Sequence, residues 1–231
     1  MRILLLVCSF LFALFGLPPA KAQAPARANV SRNWSTNVVM LPTGGIAIGN
    51  PMARVQLVEW VSYTCPHCAA FAEDAKAELP AMLKSGRVRV EYRTLPRDAL
   101  DLAAAILVRC GGPNRFIAAH DAIMLQQQAM LDKADAFAQT PAAQTRTATI
   151  AIRLQQLADA TGLRALMRGH GLGDAQITAC LNDEAAQKRV IAIAEAAQAA
   201  NVAGTPSFEI NGQKADVHDW ATLKPLLLAA K

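Results

Sequence analysis

Cys65 and Cys68 stand two residues apart in Thr64-Cys65-Pro66-His67-Cys68. They fall where an apolar run, 55–61, gives way to an alanine-rich helical pattern. Two thiols at this spacing, at a strand-to-helix junction, are built for thiol–disulfide chemistry. Cys65 sits at the mouth of the helix, where free backbone N–H groups and the helix dipole favour negative charge. That lowers its pKa and supplies a thiolate nucleophile. Pro66 suits the first helical position, since its φ is already helical and no N–H is lost there. Cys68 lies one turn on, within reach of a disulfide, and His67 can add positive charge beside the thiolate. A zinc knuckle is the competing use of such a pair. It needs four ligands, and the chain has no second Cys-x-x-Cys and no His-x-x-x-His, so no metal is expected.

Glu59 is the other unusual residue. It lies six positions before Cys65 inside an apolar strand pattern. A buried carboxyl is costly unless it has a task. On the residues alone it reads as an edge position or as an ion pair with an arginine of the neighbouring strand, such as Arg89 or Arg93.

The 231 residues suffice for one large domain or a domain with an insertion, and at 53% hydrophobic they can fill a core. Residues 1–22 have a signal-peptide layout: Arg2, an apolar run, Pro18-Pro19 and small residues around a cleavage point near Ala22. The run is short for a membrane span. Residues 23–37 read as a flexible polar leader. Loss of Arg2 and Lys21 takes two from the net charge of +5, and no basic run is interleaved with aromatics, which argues against nucleic acid. Without Cys8 an even four cysteines remain, which suits an oxidising compartment.

The pattern predicts a short strand at 38–41, a central strand at 55–63 and a helix over 65–85 kinked by Pro80. A strand follows at 87–93. Helical spacing then dominates, with segments at 98–109, 113–131, 147–161 and 174–181. A helix at 185–201 leads back to a hairpin, 207–217, turning at Asn211-Gly212. A last helix covers 219–230, bent or delayed by Pro225. The organisation is an α/β unit, 38–97 and 186–231, interrupted by an all-helical block, 98–185.

This order resembles the DsbA-like thiol oxidoreductases, a thioredoxin fold interrupted by a helical domain. The resemblance rests on Gly49-Asn50-Pro51, the run from Glu59 to Cys68, Arg109-Cys110 with Phe116 and His120-Asp121, Ala179-Cys180-Leu181, and Gly204-Thr205-Pro206-Ser207-Phe208. It implies that Cys65, Cys68, Pro66 and His67 form the catalytic motif, with Glu59 as an acid beneath the disulfide. Thr205-Pro206 is implied to be a cis peptide beside the cysteines that receives the client's backbone. Some members carry a structural disulfide where Cys110 and Cys180 fall; two buried thiols packed as small hydrophobes are the other reading. His120 is read as structural, and His170 and His218 as solvated or capping.

The implied activity is donation of the Cys65–Cys68 disulfide to reduced, unfolded proteins newly exported to the periplasm. No cofactor is required, the chain is read as a monomer, and a DsbB-type membrane quinone oxidase is the implied re-oxidant. Two rivals are a disulfide isomerase or reductase on the same fold, and a non-catalytic periplasmic chaperone.

Overall fold

A six-stranded sheet carries the molecule, and the motif cysteines leave it from one of its central strands. The computed structural model describes residues 32–144 and 148–230. The predicted signal segment 1–22 and most of the leader lie outside them. The strands are β1 (Val38–Met40), β2 (Ile46–Gly49), β3 (Val55–Val61), β4 (Val88–Thr94), β5 (Ser207–Ile210) and β6 (Gln213–Ala215), in the order β1-β2-β4-β3-β5-β6. β3 and β4 run parallel and every other pair is antiparallel.

Between β3 and β4 lie α1 (Pro66–Ala75) and α2 (Leu79–Ser85). The single helix expected over 65–85 is therefore broken, not kinked. Proline cannot donate to the residue one turn back and its ring clashes there. The chain stops at Ala75 and restarts with Pro80 in the first turn of α2, where no N–H is missed. Gly86 closes α2 at φ 79°, and the Trp34 indole lies 2.6 Å from where its Cβ would be. That indole belongs to a 3-10 turn, Trp34–Thr36, so the leader's C-terminal end is built into the fold.

From β4 the chain enters α3 (Ala99–Cys110), α4 (Pro113–Leu125), α5 (Gln127–Ala138), α6 (Pro141–Gln144), α7 (Ile150–Ala160), α8 (Leu163–Gly169) and α9 (Asp174–Asn182). α10 (Glu184–Ala199) returns to the sheet, and α11 (Trp220–Ala229) follows the β5–β6 hairpin. α3 is buried almost all round; residues 103–108 are at most 2% exposed, which is the mark of a helix at the centre of other helices. The expected helix over 113–131 is divided at Gln126, and β2 and α8 were not anticipated. β2 offers only four residues, and α8 reaches just two turns, too short for either period to stand out. The hairpin turns at Asn211 and Gly212, both at positive φ, as a tight Asn-Gly turn requires.

The strand alternation of β3 sends its residues to two cores. Val55, Leu57 and Val61 join Phe71, Leu83, Val90 and Trp220 on one face. Trp60 meets Ile193 and Ala197 of α10 on the other. Glu59 shares the first face, opposite Tyr92 of β4 and Phe208 of β5. Pro225 sits inside α11, which still begins at Trp220 behind an Asp219 cap.

Candidate active site

Cys65 caps α1 in extended backbone, φ −96°, with Pro66 at the first helical position. Its residue is 4% exposed and Cys68 is fully buried; the two thiols are unbridged. Opposite Cys65 stands the loop that enters β5. Its Thr205–Pro206 peptide is cis, and the Cys65 sulfur lies 3.1 Å from the Thr205 carbonyl oxygen. The loop is braced by Ser207 Oγ donating to Gly204 O at 2.7 Å and by His218 Nδ1 at 3.1 Å from Pro206 O. The His218 ring therefore has a defined partner beside the cis peptide, more than the solvated or capping role expected of it.

The two thiols are pushed in opposite directions. Cys65 falls to about 4, chiefly because the Cys68 thiol donates to its sulfur; burial opposes this, while Thr205 and the N–H groups of Cys68 and His67 assist. Cys68 is driven strongly upward by that same hydrogen bond and by burial. One sulfur is thus a thiolate at neutral pH and the other a thiol, the division of labour that exchange needs. His67 itself is exposed. Its backbone N–H is the part that acts on the thiolate.

Glu59 is 2% exposed and forms no hydrogen bond or ion pair with another described residue. The arginine alternative fails on strand geometry. Arg89 and Arg93 point to the opposite face from Tyr92 and hence from Glu59, and Arg93 is engaged by Glu91 at 2.7 Å and by the Trp60 ring at 5.0 Å. Burial, with the charge of Asp121 adding to it, lifts the Glu59 carboxyl to about 8. It faces a cavity of about 290 Å³ under α1, lined also by Phe71, Ala72, Tyr92, His120 and Asp121. The Glu59 charge is one of the influences that raise Cys68, so the two groups sense each other. His120 is buried, lowered to about 3 by desolvation, and sits 3.1 Å from the Tyr63 hydroxyl among the rings of Tyr92 and Phe116. It is a neutral part of the core.

Cys110 and Cys180 form a disulfide that ties the end of α3 to α9 across 70 residues. Neither sulfur belongs to the group around Cys65. Three residues near the motif are not singled out by the sequence reading: Asp101, Arg97 and Gln127. Gln127, 3% exposed at the start of α5, donates to the Cys65 carbonyl at 3.1 Å. An alternation of polar and apolar residues cannot point to a glutamine 62 positions away. A buried acid inside the apolar run after Asp98 was a legible hint for Asp101.

A low-pKa cysteine at a helix entrance, a buried partner one turn on and a cis-proline loop across from them define a thioredoxin-like redox fold with a helical insertion. A family model described as thioredoxin matches residues 42–228. The chain belongs to the thioredoxin family, and its architecture is that of the DsbA-like members. A protein-disulfide isomerase from Novosphingobium aromaticivorans is 36% identical, with a TM-score of 0.73 over 79% of this chain and 95% of that one. Wolbachia pipientis alpha-DsbA1 shares the fold at 18% identity, with a TM-score of 0.65 over 82% of this chain and 92% of that one. A Rickettsia typhi protein, named as a candidate protein-disulfide oxidoreductase, is 31% identical over 72% of this chain and 54% of its own length. The chain spans about half the length of the curated relatives it matches.

Proposed function

We propose that this chain is an exported thiol:disulfide oxidoreductase that donates the Cys65–Cys68 disulfide to reduced client proteins. The observation that carries this reading is the opposed ionisation of two adjacent thiols beside the Thr205–Pro206 cis peptide. A client thiolate attacks the Cys65 sulfur of the oxidised pair. The Cys65–Cys68 bond breaks, a mixed disulfide forms, and Cys68 leaves as a thiolate. Its raised pKa demands a proton, and Glu59, held protonated near neutral pH, is the acid positioned to supply it. A second client thiolate then attacks the client sulfur of the mixed disulfide and expels Cys65 as a stable thiolate. Two electrons pass from client to enzyme, and a protonated Glu59 is regained from solvent. The more stable the Cys65 thiolate, the more oxidising the pair.

The cis-proline loop offers backbone groups to which an extended client segment could add as a strand. Re-oxidation falls to a DsbB-type membrane quinone oxidase, and the site of action is the periplasm; the signal-like segment 1–22 and the even cysteine count support this. The test is transfer: oxidised protein should speed disulfide formation in a reduced, unfolded client, and Cys65→Ser should abolish it. If Cys65→Ser retains the activity, the protein is a binder whose thiols are incidental.

A second reading, isomerisation, is favoured by the name of the 36%-identical structure. It predicts that the reduced protein, not the oxidised one, speeds recovery of a client with scrambled disulfides. Equilibration of Cys65–Cys68 with a glutathione buffer separates the two, since a strongly oxidising pair supports donation.

A further inference from the structure

Between Val61, the last residue of β3, and Cys65 lie Ser62, Tyr63 and Thr64, all buried. Their polar groups are gripped by the first turn of α3 and the residue before it. Asp101 is 0% exposed. Its Oδ1 accepts the Tyr63 N–H at 2.8 Å. Its Oδ2 accepts the Ser62 hydroxyl at 2.5 Å and the Arg97 N–H at 3.0 Å. The Ser62 oxygen in turn accepts the Thr64 N–H at 3.2 Å. Asp98, the cap of α3, accepts the Thr64 hydroxyl at 2.8 Å and the Asp101 N–H at 2.8 Å. The Arg97 guanidinium donates to the Thr64 carbonyl at 3.2 Å.

A carboxylate without exposure is expensive to keep, and this one is matched by donors on both oxygens. Those donors are a backbone N–H, a hydroxyl and a further N–H, all of which need an acceptor-only partner. An asparagine presents an amide NH₂ in place of one oxygen and would face the Arg97 N–H with another donor. The chain leaves the clamped stretch directly into Cys65 and the first turn of α1. On the far side Cys65 meets the Thr205 carbonyl at 3.1 Å. The sulfur is therefore placed between two anchors distant in sequence, one of them rooted in the helical insertion.

We propose that Asp101 is a positioning residue for thiol–disulfide exchange: its carboxylate holds Ser62 to Thr64 so that the Cys65 sulfur stays at the N-terminus of α1 and against Thr205. Through it the helical insertion sets how firmly the Cys65 thiolate is held. This rests on Cys65 and Cys68 being the exchanging pair.

The test compares the full-length wild type with Asp101→Asn, Ser62→Ala and, as a control, Leu163→Ala. Leu163 is buried in the insertion at 1% exposure, and its hydrogen bond goes to Thr161, not to a clamp residue. The readouts are the pH dependence of Cys65 alkylation and the equilibrium with glutathione. Asp101→Asn and Ser62→Ala should each raise the Cys65 ionisation midpoint by about half a unit or more, a threefold or greater loss of thiolate stabilisation. The Asp101→Asn/Ser62→Ala double variant should shift the midpoint by less than the sum of the two single shifts, because both changes remove the same Ser62–Asp101 bond. Leu163→Ala should lose stability and leave Cys65 unmoved. A low midpoint in the wild type with unchanged midpoints in both clamp variants overturns the clamp and leaves the exchange reading standing. An equal shift in Leu163→Ala also overturns the clamp. Should Asp101→Asn fail to fold, Ser62→Ala decides by the same criterion. A wild-type Cys65 that titrates as an ordinary thiol overturns both.

Discussion

Glu59 shows how one buried carboxyl ties stability to chemistry. Its pKa rises from 4.5 to about 8 on folding. A group raised in the folded state stabilises it fully below the unfolded value and loses that contribution as pH climbs through the folded value. Between about pH 4.5 and 8 the wild type therefore weakens with rising pH on account of this residue. Glu59→Gln removes the titration and should gain stability relative to wild type across that window, about 3 kcal/mol by pH 7. Denaturant titrations of both proteins at pH 5 and 7 check it; an equal difference at the two pH values would contradict a protonated Glu59. The same variant should slow disulfide transfer, because Cys68 loses the acid beneath it. A stability gain joined to a rate loss is the signature of a group kept for function. Glu59 could be singled out from its residue type alone, since an acid among Val, Leu and Trp must be explained. Asp101 obeys the same logic, yet its partners lie 37 to 39 positions earlier and no local period reveals them.

At the scale of elements, the Cys110–Cys180 bridge fixes α3 to α9 within the helical insertion. Closing a loop of this length restrains the unfolded chain by roughly 4 kcal/mol in the chain-entropy account. Replacing both cysteines by alanine should lower unfolding free energy by about that amount. Alkylation of Cys65 should keep its pH midpoint, because neither sulfur touches the clamp or α1. A shift of that midpoint would mean that the bridge acts on the redox site through α3. The elements also mark where reading by pattern works. Strands β3 and β4 were legible because apolar runs and alternation of charge extend over seven residues. The break between α1 and α2 was not placed, although Pro80 announced a disturbance. A proline says that a helix cannot continue through it, not where the preceding turn will end.

For the molecule as a whole, the reduced and oxidised forms should differ in stability, and the difference should follow pH. The Cys65 thiol is lowered on folding from 9 to about 4. A depressed group stabilises the fold above its unfolded value and loses that contribution as pH falls through the folded one. Between pH 9 and 4 the reduced protein should lose its advantage over the disulfide form, which has no thiol to titrate. Paired denaturant curves at pH 8 and 4.5 measure it, and a difference that does not change with pH would remove the basis of the donor reading. The residues proposed to perform exchange were evident from the chain itself. Two cysteines at a strand-to-helix boundary already have the dipole, the spacing and the proline, because all three act within five residues. The alternation from sheet to helices and back, with an Asn-Gly hairpin near the end, marked the same architecture. What no linear reading could supply is the set of contacts that brings Thr205 against Cys65 across 140 positions and seats Asp101 and Gln127 beside the motif loop. Spacing along a chain reports which side chains share a strand face or a helical turn. Which distant donor meets which acceptor is settled by how helices and sheet close on one another, and only the folded molecule contains that.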